Sequence, residues 1–271
     1  MNMEKVSVII PTYNRAHTLE KSVRSVLDQT FGDFELIIVD DASSDNTETV
    51  VKSISDERVN YHRLTENKGA AGARNEGVKL AKSSFIAFHD SDDVWLPDKL
   101  KKQADYIDQH PEYDLVYGKV RVLSDEGSYE FPNEAVEGDL EGDLYPWLLR
   151  RNTIDTPTMF IRKAAFEEVG GFDSSLRCIE DWEFALRFSM KHKIGYIDEV
   201  LIDSYISEGG VSRNKAAYYE TRCKLIQFHR DNIEKLGIFD EIVMDMFSRA
   251  ERSGVLPQVQ QMLVSYLSGG R

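Results

Sequence analysis

One pattern constrains this chain above all others. Its first 110 positions hold four short apolar runs, each closed by polar or acidic residues and each followed by helical spacing. Val6, Val8, Ile9 and Ile10 make the first run. Leu19, Val23, Val26 and Leu27 then recur on one helical face. The second run, 34–39, ends at Asp40. Asp45 and Glu48 have capping-box spacing for a helix through Val50, Val51 and Ile54. Residues 59–63 predict a third strand, 69–81 a helix of small residues, and 85–89 a fourth strand. Pro97 is expected at the first position of the next helix, which carries Leu100, Ala104 and Ile107. Such alternation predicts an α/β fold with a mostly parallel sheet covered by helices on both faces. Ligands bind such sheets beyond the carboxyl ends of the strands. That rule selects Pro11-Thr12-Tyr13-Asn14, Asp40-Asp41 and residues 90–93.

The second half is less regular. Residues 114–123, 157–162, 194–197 and 200–206 read as strands. Residues 163–169 read as a short helix stopped by Gly170-Gly171, and 180–192 as a helix with Trp182, Ala185, Leu186 and Met190 inward. From Lys215 the pattern is helical, cut into three segments by Gly237 and Gly254. Val259, Met262, Leu263, Tyr266 and Leu267 form one apolar face in the last of them.

Of 271 residues, 47 are acidic and 33 basic, a net charge of -14. This argues against nucleic acid or an anionic membrane as the main partner. The surplus is concentrated. Eight acids and no Lys or Arg lie in 124–145, and six more are Asp40, Asp41, Asp45, Asp90, Asp92 and Asp93. Without these the remainder balances. Cys178 and Cys223 form no Cys-x-x-Cys and fit reduced thiols in a cytoplasmic protein. The first apolar run is too short for a signal-peptide core. The longest uncharged stretch, 253–270, holds Pro257 and glycines, so no transmembrane segment is expected.

Adjacent aspartates after apolar strands repel each other and need a cation, ligand donors or water to compensate. A few carboxylates suit Mg²⁺ or Mn²⁺ shared with substrate phosphates. Helix capping by the same residues is the alternative. A third acidic set, Glu180-Asp181, stands at a predicted helix start. Neither Asp-rich loop is an EF-hand. Counted from Asp41, Asn46 and Lys52 replace the required Gly and Glu; counted from Asp90, Lys101 replaces the Glu. Gly-x-Ser-x-Gly, Walker and Gly-x-Gly-x-x-Gly patterns are missing from the sequence, against a triad hydrolase, a P-loop NTPase or an ordinary dinucleotide enzyme.

Four segments in order carry a resemblance: residues 6–14 ending in Pro11-Thr12-Tyr13-Asn14, Ile37-Ile38-Val39-Asp40-Asp41, Glu66-Asn67-Lys68-Gly69 with Ala73-Arg74-Asn75-Glu76-Gly77, and Asp90-Ser91-Asp92-Asp93. Over about residues 5–212 the chain resembles family-2 glycosyltransferases of the GT-A (Rossmann-like) fold. The resemblance implies a nucleotide-sugar donor, most often UDP-linked, a divalent Mn²⁺ or Mg²⁺, and inversion at the anomeric carbon. It implies that Pro11, Thr12, Tyr13 and Asn14 line the nucleotide pocket, that Asp41 accepts from the base, and that Arg74 reaches base or phosphates. Asp90 and Asp92 match the family's Asp-x-Asp. Asp92 and Asp93 together would hold ribose and metal, and Asp181 would be the general base; a helix N-cap is the alternative for Asp181. Many relatives carry a metal-binding His where this chain has Ser207. Gly209-Gly210 would hinge a lid, with Arg213 helping to bind the diphosphate.

The organisation implied is a GT-A domain over 1–212, split into a nucleotide-binding half (1–110) and an acceptor half (111–212), then a helical C-terminal extension over 213–271. The expected activity is sugar transfer to a glycan, lipid-linked or other hydroxyl acceptor in polysaccharide or glycoconjugate synthesis. Nucleotidyl transfer to a sugar phosphate, and an inactive sugar-nucleotide-binding module, are the competing readings. The apolar face at 259–267 packs on its own domain, joins a homo-oligomer, or supports peripheral association with the inner membrane face. The acidic segment 124–145 reads as a mobile loop, solvated or selecting against anionic acceptors.

Overall fold

The computed structural model describes residues 5–132, 140–205 and 214–268. The first half runs β1 (Val6–Thr12), α1 (Leu19–Leu27), β2 (Phe34–Asp40), α2 (Thr47–Lys52), β3 (Val59–Arg63), α3 (Gly69–Leu80), β4 (Phe85–Phe88), β5 (Val94–Trp95) and α4 (Lys99–Gln109). The second runs β6 (Tyr113–Ser124), β7 (Gly127–Phe131), α5 (Tyr145–Leu148), a 3-10 turn (Thr156–Thr158), β8 (Phe160–Arg162), α6 (Lys163–Glu168), α7 (Glu180–Ser189) and β9 (Lys193–Tyr205). It closes with α8 (Lys215–Phe228), α9 (Arg230–Lys235), α10 (Phe239–Arg252) and α11 (Leu256–Ser268).

The strands form one sheet in the order β3-β2-β1-β4-β8-β6-β9-β5, with β7 added to β6. β3, β2, β1 and β4 are parallel, so their carboxyl ends share one edge. β8 runs antiparallel between β4 and β6, and β9 returns parallel to β6. Alternation along the strands explains why β1 and β2 are buried throughout. Ile9, Ile37 and Val39 face a core shared with α3 and α5–α7. Val8, Ile10, Leu36 and Ile38 face a second core with α1, α2 and α4. The helices α8–α11 join the first of these cores: Val259 and Leu263 of α11 are buried in it, with Met262, Tyr266 and Leu267 packed alongside. The apolar face of the last helix is therefore covered by its own chain.

Several local expectations are corrected. Pro97 lies two residues before α4, whose N-cap is Asp98. The capping box does not form: Asp45 accepts from Thr47 N–H, while Glu48 pairs with Lys52 and Arg63. The strand expected from 157 begins at Phe160, because Pro157 sits in the 3-10 turn. Residues 194–197 and 200–205 are one strand, β9, continued across an irregular register beside Gly118 and Lys119. Ile206 lies outside the described residues. Met190 is exposed, beyond the end of α7. Among the described residues the C-terminal part holds four helices, since His229 also interrupts the run. Residues 127–131 of the acidic segment pair with β6 as β7 instead of forming loop.

Candidate active site

The parallel strand ends are stitched together before any ligand is considered. Asn14 has a left-handed backbone (φ 53°), and its Oδ1 accepts from Ser44 N–H at 2.8 Å and from Asp45 N–H. Its own N–H donates to Ser43 Oγ. The loops after β1 and β2 are thus tied together. Pro11 and Thr12 are buried, and Thr12 Oγ1 finds no partner among the described residues. Tyr13 is 49% exposed at the rim. Ala42 and Ile179 also have positive φ, so the three non-glycine residues with left-handed backbone among those described all sit in loops beside the site. For β-branched Ile179 this is a costly conformation, held immediately before Glu180-Asp181.

Asp40 shapes its own turn, accepting from Ser43 N–H and from the Tyr61 hydroxyl. Asp41 accepts from Lys68 N–H at 2.7 Å and Gly69 N–H at 2.8 Å, where α3 begins. Those N–H groups have no partner within the helix, so a carboxylate just past β2 serves them. Burial raises the Asp41 pKa against these bonds. The carboxylate expected to meet a base is thus also the anchor of α3.

The segment 73–77 of α3 has a job at each turn. Ala73 is buried and Arg74 points into the site. Asn75 clamps Phe172 through both its N–H and its carbonyl. A Cβ on Gly77 would stand 2.4 Å from Ile9 Cγ2, so glycine lets α3 lie close on β1. Arg74 donates to Asp90 Oδ1 at 2.6 Å and to Glu180 Oε1 at 2.9 Å. One buried guanidinium therefore joins the loop after β4 to the start of α7. Burial works against its charge, and Asp90 and Glu180 overrule burial, leaving the group more basic than usual.

Around that bridge the carboxylates crowd. Asp92 is partly buried, 3.5 Å from Arg15; burial and then Asp90 raise its pKa. Asp93 is buried and its pKa is raised well above the ordinary range, by burial first and Asp90 next. Asp181 is raised likewise, by burial, Glu180 and Asp155. Its Oδ1 accepts from Trp182 N–H at 2.7 Å, and Asn152 Nδ2 approaches Oδ2 at 3.4 Å. Sequence reasoning missed Asp155, whose pKa burial and Asp90 push up to about 7. A single Asp before Thr156-Pro157 carries no local signal. Only the return of β8 beside β4 brings it to the cluster. Arg213, Ser207, Gly209 and Gly210 lie outside the described residues.

Among the described residues no group of three or more His, Cys, Asp or Glu side chains is arranged to hold a metal ion. No described helix is long and apolar enough to cross a membrane.

Comparison with known proteins agrees with this geometry. The profile described as "Glycosyl transferase family 2" matches residues 7–170. An uncharacterized glycosyltransferase of Rickettsia conorii is 33% identical over 211 residues, 77% of this chain and 34% of the relative. The Escherichia coli UDP-Glc:alpha-D-GlcNAc-diphosphoundecaprenol beta-1,3-glucosyltransferase WfgD is 43% identical over 119 residues, 44% of this chain and 47% of its own. The chain spans less than half the length of these curated relatives. S. aureus TarS 1-349 in complex with UDP-GlcNAc has the same fold, with a TM-score of 0.78 at 23% identity over 97% of this chain and 79% of that one. Parallel strand ends bearing Asp41 and Asp90–Asp93, joined through Arg74 to a helix that starts with an acidic pair, are thus found in a chain with the matching profile. This chain belongs to glycosyl transferase family 2 and carries the GT-A fold.

Proposed function

We propose that this chain moves a sugar from a UDP-sugar to an acceptor hydroxyl, with inversion at the anomeric carbon, in the synthesis of a polysaccharide or other glycoconjugate. The observation that carries this reading is the Arg74 bridge, which ties an acidic loop at the strand ends to the acidic start of α7. Transfer with inversion needs two stations. One receives charge building on the departing diphosphate, and the other takes a proton from the attacking hydroxyl. The strand-end loop serves the first and Asp181 the second. The raised pKa of Asp181 makes it a stronger base than a solvated aspartate. The relative WfgD, named for UDP-Glc and a diphosphoundecaprenol acceptor, supports a uridine donor and a lipid-linked acceptor.

Asp92 and Asp93 fit a divalent cation: hard oxygens whose pKa values are raised by burial and by neighbouring carboxylates. With two such side chains, substrate phosphate oxygens would complete the shell. When bound, Mn²⁺ or Mg²⁺ would supply Lewis-acid neutralisation of the leaving diphosphate. Pro11, Thr12, Tyr13 and Asn14 would line the base, and Arg74 would keep Asp90 aimed at the ribose side. Arg213 would contact the diphosphate.

A thermal-shift panel of UDP-, GDP- and dTDP-sugars, each with and without Mn²⁺, tests the reading. A UDP-sugar should raise the melting temperature by mass action, and more with Mn²⁺. Stabilisation by none of the nucleotide sugars would overturn it.

A further inference from the structure

α8 lies outside the matched family segment, yet it reaches the site through one side chain. Arg222 is 4% exposed. Its Nη2 donates to Leu149 O at 3.0 Å and to Arg150 O at 3.1 Å. Its guanidinium carbon Cζ lies over the Trp182 ring, 4.0 Å from the centroid. The two carbonyls stand just past α5, where a helix end leaves acceptors unserved. Trp182 is fixed from its other side as well, with Nε1 donating to Leu148 O at 2.7 Å.

Both contacts converge on Asp181. Trp182 is the next residue, and its backbone N–H is the donor to Asp181 Oδ1. The segment that starts at Leu149 leads to Asn152, whose Oδ1 accepts from Ile154 N–H at 3.1 Å. That bond turns the amide so that Nδ2 faces Asp181 Oδ2. Three residues later the same segment supplies Asp155. Burial pulls the Arg222 pKa down to about 10, which leaves it cationic at neutral pH.

We propose that Arg222 is a positioning residue for Asp181: it holds the indole of Trp182 and the 149–152 segment so that the Asp181 carboxylate keeps both its donors. The inference rests on the reading of Asp181 as general base. A planar guanidinium that serves two carbonyls from one nitrogen while lying over an indole is a task that Lys reproduces only in part. The helices after residue 213 are then part of the catalytic apparatus.

Amide hydrogen exchange of the full chain by NMR tests the positioning without any substrate. In Arg222→Met, the Trp182 and Ile154 amides should exchange at least about tenfold faster, while α3 amides keep their rates. Turnover with the UDP-sugar that gives the largest thermal shift, read as UDP release, should fall by about 10- to 100-fold in kcat with UDP affinity unchanged. Arg222→Lys, which keeps the charge and the aliphatic stem, should recover only part of either effect and stands in should the Met variant not fold. In an Asp181→Asn background, Arg222→Lys should change the residual turnover by less than about twofold, because the group it positions is gone. Unchanged exchange at Trp182 and Ile154 overturns the proposal. So does wild-type kcat in both Arg222 variants when Asp181→Asn is inactive. A fully active Asp181→Asn would instead sink the general-base reading and leave the exchange result standing by itself.

Discussion

At and just after the end of β2, aspartates are satisfied by backbone of the first β–α units. Asp40 takes Ser43 N–H three residues on, Asp45 takes Thr47 N–H two residues on, and Asp41 takes Lys68 and Gly69 N–H, 27 and 28 residues on, at the start of α3. Across the Arg74 bridge, Asp181 takes Trp182 N–H from the next residue, and its remaining support comes from side chains that span longer stretches of chain. Asn152 is 29 residues away, and the carbonyls gripped by Arg222 are 73 and 72 residues from it. Tyr145, at the start of α5, is bonded to His229 at the end of α8, 84 residues on. The proposed donor side is thus set within the first β–α units and the proposed base side by support that reaches into α8. The donor side should tolerate change in the C-terminal helices, and the base side should not.

The sharpest way to separate the two sides is Asp181→Asn. It should lower kcat by about 10²- to 10⁴-fold while UDP affinity, measured by calorimetry, stays within about twofold. In the wild type the acidic limb of the pH–kcat profile should lie above the ordinary aspartate range, since the base must be deprotonated. That limb belongs to Asp155 and Asp181 together, because Asp155, itself pushed up to about 7, raises Asp181. A limb near pH 4 would break the assignment.

Arg74→Met attacks the join between the sides. It leaves Asp90 and Glu180 facing each other without their cation, and denaturant melts should show a loss of about 3–5 kcal/mol. A loss below about 1 kcal/mol would mean that the bridge is not what unites the halves.

Acid should loosen the Tyr145–His229 contact. Burial pulls the His229 pKa from 6.5 down to about 4, so the imidazole is neutral in the fold. Asn232 donates to the Tyr145 oxygen, which leaves the Tyr145 hydroxyl to donate to His229 Nδ1. A group depressed in the folded state gives its full contribution above pH 6.5 and loses it as pH falls through about 4. The loss is about 3 kcal/mol across that window. Unfolding free energies at pH 7.5, 5.5 and 4.5 should therefore fall more steeply for wild type than for His229→Asn. Equal slopes would remove His229 as the cause.

Asp93→Asn is the smallest expected effect and concerns the donor side alone. Relief of a buried like charge should raise the unliganded protein's stability by about 1 kcal/mol, as at many functional sites. The extra thermal shift from Mn²⁺ in the presence of a UDP-sugar should vanish. If that shift persists, the cation is held elsewhere.

The two sides also differ in how far they can be read without coordinates. The parallel strands were legible because Val8 and Ile9, or Ile37 and Ile38, must each find cover on opposite faces, and apolar runs of that length have few other homes. The acidic strand ends were legible for the same reason: a charge directly after a buried strand marks the edge where the sheet meets solvent. The short strands β5 and β7 were not. Val94–Trp95 has too few residues for a pattern, and Gly127–Phe131 pairs through backbone with little buried apolar surface.

What the sequence by itself determined is the parallel part of the sheet, the carboxylates along its edge, and the small-residue helix carrying Arg74. These follow from apolar periodicity and from turn and cap chemistry acting over a few residues. What only the tertiary structure decided is which charges meet: Arg74 with Asp90 and Glu180, Asp155 with Asp181, and Arg222 with Trp182. Such meetings depend on β8 returning antiparallel beside β4 and on α8 packing against α5 and α7. Each closes a long loop whose cost is repaid by burial of many side chains together, so no single residue along the way announces it.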